Sequence, residues 1–270
     1  MTAFDAGPES LRPGRTAYGL GDVVACHRGC TASEADSVLS SSFERLSTMA
    51  ESTGGTASAG GDLTVVHLMR HGEVHNPQGV LYGRLDGFHL SELGQQMARL
   101  VAVHLESNDI THVVASPLER AQETAAPVAA DHGVTITTDA RVIESENRFE
   151  GRTVDVLSLL HPRNWHLFSN VTKPSWGEPY EQIAVRMLAA VADARDAARG
   201  HEAVVVSHQL PVWTVRNKLE GRRLWHDPRK RECTLASLTS LTYRGDELLS
   251  ITYSEPAARL LARASRSVGA

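Results

Sequence analysis

Four short aliphatic, β-branched runs constrain this chain most. They are LTVVHLM (Leu63 to Met69), THVVAS ahead of Pro117, VTITT (Val134 to Thr138) and AVVVS (Ala203 to Ser207). Runs of this length suit strands buried on both faces of a sheet. Helical spacing fills the gaps between them. Ser91 is placed to cap a helix carrying Leu93, Met97, Leu100, Val101 and Leu105 on one face. Pro117 suits the first turn of the next helix, and Pro127 is expected to end or kink it. A long helix is expected over Glu181 to Arg199 with Gly200 at C′, and another from about Pro211. SLTSLTY, RGDE and LLSITYS then read as a hairpin around Gly245. Strands alternating with helices predict an α/β fold, a three-layer α/β/α sandwich with a mostly parallel central sheet.

The first sixty residues lack this order. Ser47 to Gly61, STMAESTGGTASAGG, has linker composition, and the large apolar residues upstream follow no period. A short helix over Ala32 to Leu46, capped by Thr31 or Ser33, is the one element suggested there, and Met49 is a candidate alternative start. The expected organisation is a disordered extension and linker over 1–61, a folded domain over 62–256 and a tail over 257–270. The N-terminus has no apolar h-region and no run approaches a membrane span, so a cytoplasmic protein without membrane partners is expected. The formal net charge of −5 weighs against a nucleic-acid partner. Cys26, Cys30 and Cys233 provide neither a disulfide framework nor a zinc ligand set.

The ligand of a parallel sheet sits beyond the carboxyl ends of its strands, and here the chemistry-bearing residues lie at those ends. Arg70, His71, Gly72 and Glu73 follow the first run at once. Arg70 offers a planar fork suited to phosphate, His71 a ring nitrogen able to act as nucleophile, and Gly72 a tight turn with the backbone close to a ligand. Ser116-Pro117-Leu118-Glu119-Arg120 follows the second run, and Ser207-His208-Gln209 follows AVVVS. Three strands thus bring two arginines and two histidines to one edge.

These residues resemble the signatures of the histidine phosphatase superfamily, the phosphoglycerate mutase-like proteins. LMRHGEVHN resembles the opening motif, SPLERAQETA the second-arginine motif and VVVSHQLPVW the second-histidine motif, while GRLDGFHLSELGQ matches the stretch between first strand and first helix. The resemblance spans about Leu63 to Tyr253. It implies a phosphohistidine on His71, with Arg70, Arg120 and His208 holding the phosphate oxygens and no metal or other cofactor. A carboxylic acid would protonate the leaving oxygen and later activate water. In RVIESENRFEG, Glu144 follows the Arg-apolar-apolar lead-in of that acid, with Glu146 as competitor because the spacer to Glu150-Gly151 is one residue short. Asn76 and Gly83 follow at similarly shortened spacing as substrate-binding candidates, one through its amide and the other through its backbone N–H, with Arg84 and Gln209 beside them.

Other histidines and charges have ordinary readings. His67, inside a strand, is expected to be a packed residue. His71 and His75 are spaced i, i+4, but Gly72 and Pro77 oppose the helix that zinc chelation would need. HPRNWHLFSNVTKPSWGEP, with His161, Trp165, His166 and Trp176, is either a substrate-selecting lid or surface packing. Arg222, Arg223, Arg229, Lys230 and Arg231 form a basic cluster that either attracts an anionic substrate or is simply solvated. The expected activity is hydrolysis of a small phosphorylated metabolite. A cofactor-dependent mutase and an inactive phospho-ligand module are the alternatives, and the oligomeric state stays open, a homodimer included.

Overall fold

In the computed structural model the described residues are 62–152 and 177–264, all within a compact unit spanning Ser58–Ala270. The N-terminal extension, with Cys26 and Cys30, and the Trp-containing insertion from His161 to Trp176 lie outside the described residues. The elements are β1 (Leu63–Arg70), α1 (Glu92–Leu105), β2 (Ile110–Ala115), α2 (Glu119–Asp131), β3 (Ile136–Thr138), α3 (Tyr180–Ala197), β4 (Glu202–Ser207), α4 (Gln209–Leu219), β5 (Leu238–Arg244), β6 (Glu247–Ser254) and α5 (Ala258–Leu261). A 3-10 turn, Ala140–Val142, follows β3.

The sheet order is β3-β2-β4-β1-β5-β6. Its first four strands are parallel, and β5 and β6 form the antiparallel hairpin, turning at Gly245 with φ of 57°. Helices cover both faces. Ala203 and Val205 of β4 join Val66, Leu68, Ile183, Met187 and Val212 beneath α3 and α4. Val204 and Val206 join Met69, Met97, Val101, Val113 and Val128 beneath α1 and α2. A strand covered on both sides has no face to spare for polar residues, which is why AVVVS is continuous. This is the three-layer sandwich the patterning predicts. Ala257 is buried, and Leu260 and Leu261 pack against the α1–α2 core, so the start of the expected tail belongs to the domain.

Local boundaries depart from expectation for identifiable reasons. Helix α2 begins after Pro117, with Leu118 as its cap, and runs through Pro127 to Asp131. Proline removes one helical bond, but Ala121, Ala125, Val128 and Ala129 stay buried on the core, and that packing carries the helix on. Strand β3 starts at Ile136 because the N–H of Val134 is drawn back to the carbonyl of Ala129, closing α2. Helix α3 ends at Ala197 with Ala198 as cap, so Gly200, with φ of 79° and expected at C′, lies one residue beyond it. Helix α4 starts two residues early, which makes His208 its cap.

Candidate active site

Strand register sets the site. Met69, Val206 and Ala115 lie level across β1, β4 and β2, and Arg70 lies level with Ser207. The residues that follow, His71, Ser116 and His208, therefore emerge side by side at the centre of the sheet. The ring centroids of His71 and His208 stand 5.1 Å apart, edge to face. His71, Arg120 and His208 are 0% exposed and Glu144 is 4% exposed.

Each of these groups is pinned at one atom. Nδ1 of His71 donates to the carbonyl of Gly72 at 2.7 Å; a carbonyl only accepts, so the proton is on Nδ1 and the lone pair on Nε2. Ser116 accepts from the N–H of Leu118 at 3.4 Å, and its Oγ stands 2.8 Å from Nε2 of His208. With that hydroxyl donating, the proton of His208 sits on Nδ1. Nη1 of Arg70 donates to the carbonyl of Cys233 at 2.8 Å. Nη2 of Arg120 donates to the carbonyl of Gly83 at 2.5 Å, and the guanidinium lies 4.6 Å from the ring centroid of Tyr82. Oε1 of Glu144 accepts from the N–H and Oγ of Ser145 at 2.8 and 3.3 Å.

The opposite atoms have no hydrogen-bond partner among the described residues. They are Nε2 of His71, Nδ1 of His208, Nε of Arg70, Nε and Nη1 of Arg120, and Oε2 of Glu144, all buried. Buried polar atoms are seldom left so in a folded protein, and a cluster of them marks a place made for a polar ligand. Burial, reinforced by Arg120 and Arg70, holds the pKa of His71 well below 6.5. Burial, then Arg120 and His71, does the same to His208. Both rings are therefore neutral near pH 7.

The backbone brings this about. The φ of Gly72 is not in the left-handed region, and a Cβ there would meet the carbonyl of Gly94 at 2.6 Å. It is the close packing of the segment after β1 on α1 that requires glycine. The N–H of Gly72 donates to Thr124 and the carbonyl of His71 accepts from Ala236. Ala236 sits in the left-handed region with φ of 53°, strain held beside the histidine.

The segment around Glu144 is clamped from behind. Arg84 donates to the carbonyl of Glu144 at 2.7 Å and pairs with Glu146 and Glu178 at 3.1 and 3.0 Å. Each of its three guanidinium nitrogens thus donates to a protein group. Arg186 of α3 donates to the carbonyls of Arg141 and Ile143 and pairs with Glu178. The two carboxylates differ sharply in exposure: Glu144 is 4% exposed, whereas the Glu146 side chain is 70% exposed. Asn76 closes its own loop, donating to the carbonyl of Val80 and accepting from its N–H. Gly83 contributes its carbonyl to Arg120. Gln209 donates to the Cys233 carbonyl at 3.2 Å. His67 is the packed residue expected, held by Ser240 and Glu202 at 2.7 Å each.

Sequence reasoning assigned no role to Ser116, Tyr82, Glu178, Arg186 or the carbonyl of Cys233. Arg186 left a trace, a cation beside the Ile183–Met187–Ala190 stripe, and Ser116 a hydroxyl ending an apolar run. The Cys233 contact leaves none, because a carbonyl is the same in every residue.

The family model of the histidine phosphatase superfamily (branch 1) matches residues 66–255. The chain belongs to this superfamily. An uncharacterized Mycobacterium tuberculosis protein, Rv0525, is 58% identical over 197 residues, covering 72% of this chain and 98% of that one. A Yersinia pestis protein named probable phosphoglycerate mutase GpmB is 31% identical, over 63% of this chain and 82% of its own. Among solved structures, YhfR of Bacillus stearothermophilus superposes with a TM-score of 0.59 at 26% identity, covering 69% of this chain and 94% of its own. A mycobacterial glucosyl-3-phosphoglycerate phosphatase, Rv2419c, superposes at 0.58 with 23% identity, over 71% and 96%, a likeness of fold. Phosphatases and mutases thus both stand among the similar proteins. Among the described residues no helix is long and apolar enough to cross a membrane.

Proposed function

We propose that this superfamily member is a phosphatase that hydrolyses small phosphomonoesters through a phosphohistidine on His71. The observation that carries the reading is the convergence of unpartnered buried atoms: one lone pair, three cationic or N–H donor groups and one carboxyl oxygen. Arg70, Arg120 and His208 hold the phosphate oxygens, taking up the charge that spreads over them in transfer. Nε2 of His71 attacks phosphorus in line. The ester P–O bond breaks, and Glu144 in its acid form gives its proton to the departing oxygen. The carboxylate then takes a proton from water, whose oxygen attacks the phosphohistidine and releases inorganic phosphate. Every proton is accounted for without a metal ion in the scheme.

Incubation with a ³²P-labelled monoester and rapid quenching should trap an acid-labile, base-stable label on the protein. His71→Ala should lose both label and turnover. A variant that keeps full activity would remove the enzyme reading and leave a phospho-ligand module. The resemblance to a probable mutase supports a second reading, in which the phosphohistidine returns its phosphate to another hydroxyl. Turnover of 3-phosphoglycerate primed with bisphosphoglycerate, well above hydrolysis of an aryl phosphate, would select it.

A further inference from the structure

The sequence groups Arg231 with Arg222, Arg223, Arg229 and Lys230, but the structure separates it from them. Those four are exposed, and Arg222 and Arg229 are paired with Glu220 and Asp227. Arg231 is half-buried and joined to the site. Its Nη1 donates to Oε1 of Gln209 at 3.3 Å, and Gln209 donates in turn to the Cys233 carbonyl that also anchors Arg70. Its Nε donates to Nε2 of His226 at 2.8 Å. His226 can accept there because its Nδ1 donates to the carbonyl of Leu224 at 2.6 Å.

Both partners of Arg231 are neutral, and among the described residues it forms no ion pair. The charges of Glu144 and Arg70 both act on it, yet burial still holds its pKa below the usual arginine range. A half-buried cation whose hydrogen-bond partners are all neutral is costly to hold, and an anionic ligand bonded directly to it offsets that cost. Gln209 and the shared Cys233 carbonyl join it to Arg70, which places it beside the unpartnered cluster.

We infer that Arg231 is a specificity residue that binds a second anionic group, carboxylate or phosphate, on the leaving group of the substrate. The assignment rests on the phosphatase reading above. Gln209 and His226 hold the guanidinium in one plane, leaving Nη2 to meet the anion. The rival explanation is that Arg231 only balances the charge of Glu144.

Three substrates on one carbon skeleton decide the matter: glycerol 3-phosphate, 3-phosphoglycerate with its carboxylate, and glycerol 1,3-bisphosphate with a second phosphate. In the native enzyme kcat/KM for one of the two charged substrates should exceed that for glycerol 3-phosphate by about tenfold or more. The arm that shows the excess identifies the anion. In Arg231→Gln, and in Arg231→Met, which keeps more of the stem's packing, the ratio should collapse to within about twofold of one. Any general loss of activity divides out of that ratio. Arg231→Lys should keep part of it. Native ratios near one in both arms, or ratios unchanged by Arg231→Gln, overturn the assignment while leaving the hydrolase intact. Absence of any monoester hydrolysis together with absence of labelled His71 overturns the phosphatase reading itself.

Discussion

At the scale of single residues, the chemistry depends on which nitrogen of His71 is free. The bond from Nδ1 to Gly72 settles the tautomer, and burial beside two guanidinium groups keeps the ring uncharged. Its lone pair is lost only when the pH falls well below 6.5, the ordinary imidazole value. The acid limb of kcat/KM, corrected for the substrate's own ionisation near pH 6 or so, should therefore lie below that of an ordinary histidine. A limb centred near pH 6.5 would contradict a buried neutral nucleophile. The two carboxylates give a second test. In Glu144→Gln the rate of phosphohistidine formation should fall on the order of 10²–10⁴ with esters of poor leaving groups, and much less with p-nitrophenyl phosphate, whose leaving oxygen needs no proton, so that with the aryl ester label accumulates on a protein whose water step lacks its base. Glu146→Gln should change kcat by no more than about twofold, since an exposed pair contributes little. Arg70, His71, Arg120 and His208 were legible in the sequence because strand ends are legible and strand order does not need to be known to see them collected. The ion pairs of Arg84 with Glu178 and Glu146 were not legible, because nearness along the chain says nothing of partners so far away in sequence.

At the scale of elements, the site depends on how closely α1 approaches the segment after β1. Ser91 caps α1 by accepting from Gly94, and the same hydroxyl donates to Glu73 at 2.5 Å, tying the helix start to the segment that carries His71. Gly94 and Gly72 face each other there with no room for a side chain. A Cβ on Gly94 would collide with the carbonyl of Glu73, and backbone cannot swing aside. Gly94→Ala should thus cost about 1–3 kcal/mol or more in urea unfolding. It should also lower kcat, because relief of the clash shifts His71; unchanged stability would show that the helix can retreat without cost. The cap and the apolar stripe of α1 were readable from sequence. The reason for glycine at 94 was not, since it lies in a contact between two backbones brought together by the whole sheet. The same holds for element ends. Whether Pro127 stops α2, or Val134 opens β3, is decided by the core beneath and by one bond to Ala129, against which local propensity is a weak opponent.

At the scale of the molecule, assembling the site has a cost in stability that depends on pH. In the unfolded chain His71 and His208 take up protons near pH 6.5. In the folded protein both pKa values are lowered by burial, so the native state refuses those protons. The unfolded state then binds more protons at acid pH, and stability rises with pH: the contribution is whole above about pH 6.5 and is lost as the pH falls toward the folded values. His226 acts in the same direction. His89, raised by its bond to Glu123, acts oppositely, but it is exposed and screened. Each buried ring can remove on the order of 1 kcal/mol between pH 7.5 and 5.5. Urea denaturation at the two pH values should show that loss, in phosphate-free buffer because an anion in the site would stabilise the native state by mass action. The His71→Gln, His208→Gln double variant should flatten the difference by most of that amount. Equal losses in native protein and double variant would mean that other groups govern acid stability and that the site's histidines are not held neutral by the fold.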